Sequence, residues 1–201
     1  MTTATQTSGQ MSRDDLYSLE KYNEMRADYR KNIMAHKKNR QVPVGPNARL
    51  YFEDRLTMQY QIQEMLRAEK IFDGEGIQEE LDTYNPMIPD GSNWKATLML
   101  EYSDEPTRVN WLSQLLGIDK KTWVQVDSFD KVYPITNEDL ERETEDKTSS
   151  VHFMRFELSA EMIAAIKKGS NISMGIEHDN YHHSVDPVAA NVRDSLSGDL
   201  A

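Results

Sequence analysis

Apolar and aromatic residues recur every three or four positions at Leu16, Leu19, Tyr22, Met25, Tyr29 and Ile33, the spacing of one face of an α-helix. Ser12-Arg-Asp-Asp15 stands ahead of them as an acidic form of the capping box. The pattern predicts one long amphipathic helix from Ser12 to near Arg40, broken by Pro43, Gly45 and Pro46. Arg49 to Glu53 alternates as a short strand. Asp54 then caps a second helix that runs through Arg67 to about Phe72, and Asp73 to Gly76 stops it. Ile77 to Tyr84 forms a third helix, and Asn85 to Gly91, with two prolines and a glycine, forms a loop.

From Lys95 the period changes. Thr97 to Tyr102 reads as a strand, and Asp104 opens a helix with Val109, Leu112, Leu115 and Leu116 on its apolar side and Gly117 as its stop. Thr122–Asp127 and Lys131–Ile135 read as a hairpin, with Pro134 putting the second strand at an edge. Asn137 to Ser150, with six acids against two bases, is a solvated helix or loop. Ser150 to Leu158 is a strand, and Ser159 caps a short helix ending in Lys167-Lys168-Gly169. Asn171 to Glu177 is a further strand, and a last helix begins at Pro187. The whole is an α+β fold, a helical N-terminal part packed on a mixed, mainly antiparallel sheet. Residues 1–11 read as a disordered tail and 12–201 as one domain, helical over 12–84 and sheet-containing over 95–201.

Composition narrows the chemistry. The 201 residues include no cysteine, which excludes disulfides, a cysteine nucleophile and cysteine-held iron–sulfur or zinc centres. Apolar runs such as Ala96 to Leu100 and Met162 to Ile166 fall far short of the roughly 18–20 residues of a membrane span. Met1 to Gln10 lacks the basic and apolar regions of an export signal, so the chain reads as cytoplasmic. The net charge of −11 is unevenly placed: residues 1–50 hold 9 bases and 5 acids, and 51–201 hold 14 and 29. A general nucleic-acid binder needs a net basic face and is excluded. The cations Lys31, Lys37, Lys38 and Arg40 remain as a docking face for an acidic partner, or as a helix C-terminus complementing its own dipole.

Three polar groupings could carry chemistry. On the second helix Gln59, Gln63 and Arg67 form one line and Tyr60 and Glu64 a neighbouring one, flanked by Leu56, Met58, Ile62, Met65 and Leu66. Partial burial of that stripe requires Glu64 and Arg67 to satisfy one another or a ligand. In Val151 to Leu158 the period of two puts His152 on the face of Met154, Phe156 and Leu158, opposite Phe153, Arg155 and Glu157. That placement suits a neutral core imidazole or, alternatively, a base. Glu53, Gln63, Glu64, Arg67 and His152 together are the candidate pocket. Finally, His178, His182 and His183 lie close in sequence with Glu177 and Asp179, as a metal site or as a surface turn opened by Asp-Asn. No Glu-x-x-His pair, phosphate-binding glycine loop or Gly-x-Ser-x-Gly is present, and no residue is assigned to a cofactor.

The runs His36-Lys-Lys38, Phe52-Glu-Asp54, Tyr60-Gln-Ile-Gln-Glu-Met-Leu-Arg67, Tyr84-Asn-Pro86, Ile88-Pro-Asp-Gly91, Lys95-Ala-Thr97, Glu138-Asp-Leu-Glu-Arg142 and Lys147 to Leu158 resemble the bacterial domain-of-unknown-function 3501 family, over about Asp14 to Leu200. The resemblance implies no activity. It implies a setting, since such proteins are typically encoded beside a rubrerythrin-like protein and an iron–sulfur oxidoreductase related to heterodisulfide reductase subunits. Two functions follow as expectations. One is an accessory partner of that redox system, docking through charge. The other is a small enzyme or anionic-ligand-binding protein that uses the Glu/Arg/His pocket.

Overall fold

The computed structural model describes residues 9–201. Where the apolar spacing predicts one helix from Ser12, the backbone makes two pieces. The Ser12–Asp15 box closes only a 3-10 turn over Arg13–Asp15, Leu16 turns extended, and Ser18 caps α1 (Leu19–Lys37) through its side chain. The cause lies on another element: the Gln63 side chain accepts from the Tyr17 amide at 2.6 Å and donates to the Tyr17 carbonyl at 3.2 Å, holding that stretch extended. Of the expected tail, residues 1–8 lie outside the described residues, and Met11 is buried with its backbone N–H and carbonyl both held by the Asn85 side chain.

After α1 come β1 (Gln41–Pro43), β2 (Ala48–Glu53) and α2 (Arg55–Glu69). Asp54 caps α2 and shares a reciprocal box with Thr57. The helix ends at Lys70, which adopts left-handed backbone with φ 57°, and Asp73 instead caps α3 (Gly74–Tyr84). A 3-10 turn at Asn85–Met87 interrupts the expected loop. Then follow β3 (Asn93–Leu100), α4 (Glu105–Gln114), β4 (Thr122–Val126), β5 (Ile135–Thr136), β6 (Val151–Glu157), α5 (Ala160–Lys167), β7 (Ile172–His178), β8 (Tyr181–Val185) and α6 (Ala190–Ser197). The fold is α+β, with six helices and eight strands among the described residues.

The strands form two sheets in the orders β1-β2-β3-β6-β5 and β4-β7-β8, and every pair is antiparallel. The expected hairpin of Thr122–Asp127 with Lys131–Ile135 is reduced to one bridge, Val124 to Val132. Pro134 has no N–H to extend that ladder, and the chain crosses to the larger sheet, where Ile135 and Thr136 pair with Arg155 and Met154 of β6.

Alternation along the central strands gives the larger sheet two unlike faces. Leu50, Phe52, Trp94, Ala96, Leu98, Met154 and Phe156 join Val124, Val126, Ile172, Met174 and Ile176 of the smaller sheet in the main core. The second core, Met58, Ile62, Leu66, Leu81 and Ile88 with Met11, binds α2 to α3 and the N-terminal segment. The remaining face of the larger sheet carries two cross-strand rows, Glu53–Lys95–Arg155 and Tyr51–Thr97–Phe153. The cavities described below open over that face. Among the described residues no helix is long and apolar enough to cross a membrane.

Candidate functional site

Glu53 ends β2 immediately before the residue that caps α2, so the strand's alternation sends its side chain onto the second face while Phe52 enters the core. Its two carboxylate oxygens accept from Thr57 Oγ1 at 2.7 Å and Thr97 Oγ1 at 3.1 Å. Only 8% of Glu53 is exposed. Burial pushes its carboxyl up, against the pull of the Thr57 hydroxyl, Lys37 and the Thr97 hydroxyl.

Above the carboxyl lies a cleft of about 310 Å³ whose walls include Met58, Met87, Met99, Val151 and Phe153, with Lys37, Tyr51, Gln61 and Tyr84 as polar lining. Gln61 donates to the Tyr84 hydroxyl at 3.4 Å, and the Lys37 ammonium lies 5.5 Å from the centre of the Tyr60 ring. A second cavity of about 590 Å³ shares Tyr84, Met87 and Phe153 with the first and adds Lys95, Arg142 and Arg155. Chemically, the cleft offers an apolar slot with one carboxyl near its floor that resists ionisation, a setting suited to proton exchange.

The sequence candidates do not converge here. Glu64 is gripped by Arg26, Nε to Oε1 and Nη2 to Oε2 each at 2.7 Å, and by the Tyr22 hydroxyl at 2.7 Å. Arg26 first among these lowers its carboxyl to about 2. Arg67, the expected partner, is exposed and makes none of those hydrogen bonds, and its charge is the last of the causes that lower Glu64. Gln63 is fully buried as the Tyr17 clamp, and Gln59 bridges the Tyr29 hydroxyl and the Asp15 carbonyl. The polar stripe of α2 therefore fastens α1 and the segment before it to α2.

His152 sits on the opposite, core face of the sheet from Glu53. Its Nε2 is 3.0 Å from both Thr148 Oγ1 and the Ser149 carbonyl, and its Nδ1 is 3.2 Å from Asn137 Nδ2. Burial lowers its pKa, opposed by Asp119 at 3.9 Å. A buried imidazole with these partners tethers the Asn137–Ser150 loop to β6.

The three clustered histidines flank the β7–β8 turn. His178 Nε2 meets the Leu116 carbonyl at 2.9 Å and its Nδ1 accepts from the Asn180 amide at 3.2 Å. His182 and His183 are successive residues of β8 and project to opposite sides, with His183 against the Tyr181 ring. Among the described residues no group of three or more His, Asp or Glu is placed to hold a metal ion.

Of the cations expected to dock a partner, Lys31 and Lys38 are exposed and Lys37 turns to the cleft. Arg40 is only 2% exposed. Its guanidinium donates to Asp199 at 2.5 Å, to the carbonyls of Phe52 and Glu53 at 3.0 and 3.1 Å, and to Ser195 Oγ at 3.2 Å. It lies 3.4 Å from Asp54 Oδ2, which also meets His36 at 2.6 Å, while Asp54 Oδ1 caps α2. A side chain so enclosed has no free face for a partner.

A family model described as "Protein of unknown function (DUF3501)" matches residues 10–200. The chain belongs to the DUF3501 family. A crystal structure from Burkholderia pseudomallei, titled a novel protein of unknown function, is 47% identical to this DUF3501 chain. It superposes with a TM-score of 0.91, over 96% of this chain and 100% of that one. Among curated proteins none matches. The DUF3501 match includes every cleft residue named above.

Sequence reasoning missed Thr57, Thr97, Tyr84 and Lys95. Thr57 was within reach, since the Asp54-x-x-Thr57 box sets it one turn above Glu53. Thr97 and Lys95 depend on the β2–β3 register, which no local spacing reveals.

Proposed function

We propose that the cleft over Glu53 is a small-molecule site and that Glu53 exchanges a proton or a hydrogen bond with the ligand. The observation that carries this reading is a contrast. Glu64 and Asp54 each meet a cation within 4 Å, whereas the contacts of the more deeply buried Glu53 are two neutral hydroxyls. A buried carboxyl with no cation in contact is costly to a fold, and here it faces a cavity with Lys37 acting only from a distance. The volume is at the small end of the range for ligand sites, and the walls call for an apolar body with one polar end. An activity of this kind is acid–base chemistry at the polar end, with Lys37 available to an anionic group.

Ligand-observed NMR with small aromatic amines, alcohols and carboxylic acids tests this reading on the full chain. Binding is expected for compounds of this shape, reduced about tenfold or more in Glu53→Gln and blocked in Met58→Trp, which fills the slot. Binding that is unchanged in both variants overturns the reading.

A second reading is the accessory partner of an iron–sulfur and rubrerythrin-type redox system in the cytoplasm. It draws on the gene neighbourhood that the family resemblance implies and on the exposed Lys31 and Lys38, with any redox centre belonging to the partner. Co-purification from the native host tests it. Recovery of the chain without an iron–sulfur or rubrerythrin-like companion counts against it.

A further inference from the structure

Lys95 stands in the middle of the row Glu53–Lys95–Arg155, with each neighbour directly across a ladder. Both neighbours are engaged elsewhere. The Glu53 oxygens are turned to Thr57 and Thr97, and the Arg155 guanidinium is held by Glu138 at 2.7 and 2.9 Å and by Glu157. Lys95 itself makes no ion pair or side-chain hydrogen bond among the described residues, and it lines the 590 Å³ cavity. Tyr84, Met87 and Phe153 give that cavity an apolar wall, and Arg142 stacks over Phe153 at 4.3 Å while paired with Asp139. A half-buried amine beside a cation and free of a carboxylate partner is the arrangement that activates lysine toward carbonyl compounds.

We propose that Lys95 forms an imine with a small aldehyde or ketone bound in this cavity. The neutral amine adds to the carbonyl carbon, and one N–H proton moves to the oxygen. The carbon–oxygen bond then breaks, the oxygen leaves as water with the second N–H proton, and a carbon–nitrogen double bond remains. No oxidant or reductant is needed. The surrounding charges are consistent with a reactive amine: burial first and Arg155 second lower the Lys95 pKa, and Glu138, Asp90 and Glu157 oppose them. Asp82, on the α3 side of the cavity, accepts from Gln78 at 2.9 Å. The inference rests on small molecules entering the adjoining Glu53 cleft, as proposed above, which shares Tyr84, Met87 and Phe153 with this cavity, and is independent of proton exchange by Glu53.

The test is reductive trapping on the full chain with benzaldehyde and cyanoborohydride near neutral pH, followed by peptide mapping. Benzyl alcohol, which lacks the carbonyl, reports groove occupancy separately. One benzyl adduct is expected at Lys95, formed about tenfold or more faster than at any other lysine. Its rate should inflect below the ordinary lysine value of about 10.4. Lys95→Arg and Lys95→Met should each lose the adduct while keeping the wild-type melting temperature. Labelling spread over exposed lysines such as Lys31 and Lys38, with Lys95 no faster, overturns the imine, and if alcohol still binds, the groove reading stands. Selective labelling of Lys95 that persists in Glu53→Gln with alcohol binding intact supports the imine and removes Glu53 from the site.

Discussion

Glu53 and Glu64 carry the same side chain and are driven in opposite directions. Burial raises Glu53, which meets only hydroxyls, whereas Arg26 lowers Glu64 from 4.5 to about 2. The linkage signs are therefore opposite. Above pH 4.5 the folded state carries a penalty for ionised Glu53. Glu53→Gln keeps an acceptor for one threonine, offers the other hydroxyl an N–H donor and removes the charge, so it is expected to raise the melting temperature at pH 7, with the gain fading as pH falls below the ordinary glutamate value. A gain in stability with a loss of ligand binding is the signature of a functional group held at the fold's expense. Glu64 contributes stability that is present above pH 4.5 and is lost as pH falls toward about 2. Urea titrations should show Glu64→Gln costing about 1–2 kcal/mol at pH 7, a difference that shrinks at pH 2. Arg67→Ala should stay within about 0.5 kcal/mol, as for an exposed side chain.

Between elements, Gln63 decides more than its neighbours' periodicity does. It replaces the helical hydrogen bonds of Tyr17 with its own amide, so the apolar positions from Leu16 to Leu19 follow a helical spacing that the backbone does not adopt. Gln63→Ala leaves the Tyr17 amide and carbonyl unpartnered. It is expected to cost about 1–3 kcal/mol and to speed amide exchange at Tyr17 and Ser18 without affecting β6. The strands were legible where period two and burial coincide. His152, Met154, Phe156 and Leu158 are all buried, on the side that alternation assigns. The caps at Asp54, Asp104 and Ser159 were legible because side-chain capping is local. The Thr122–Ile135 hairpin was misread because pairing is a long-range choice: β4 finds β7 and β5 finds β6, partners that follow later in the chain. The same limit hid half of the site. Glu53 was identifiable as an acid at a strand end, but Lys95 and Thr97 reach it only through register, and Glu64 and His152 face other neighbours.

Over the whole molecule, Arg40 closes the chain on itself. It joins the end of α1 to the β2 carbonyls, to the cap of α2 through Asp54, and to the C-terminal segment through Ser195 and Asp199. Trp94 Nε1 donates to the Leu196 carbonyl at 3.0 Å and fixes the same segment from β3. Burial raises Asp199 to about 6 even with the Arg40 guanidinium upon it, so loss of that cation leaves a carboxyl with little water to turn to. Arg40→Met is therefore expected to cost about 3–5 kcal/mol by urea denaturation. The cost should change little between low and high salt, because screening reaches enclosed pairs weakly. Adding Asp199→Asn should recover part of the loss, while Asp54 keeps His36. The double-mutant cycle isolates the Arg40–Asp199 coupling. A loss below about 1 kcal/mol, the range of exposed pairs, would return Arg40 to the surface and to a docking face with Lys31 and Lys38. The expected large loss instead assigns Arg40 to the internal frame, where its hydrogen bond to the Glu53 backbone carbonyl helps to fix the strand end that carries the carboxyl.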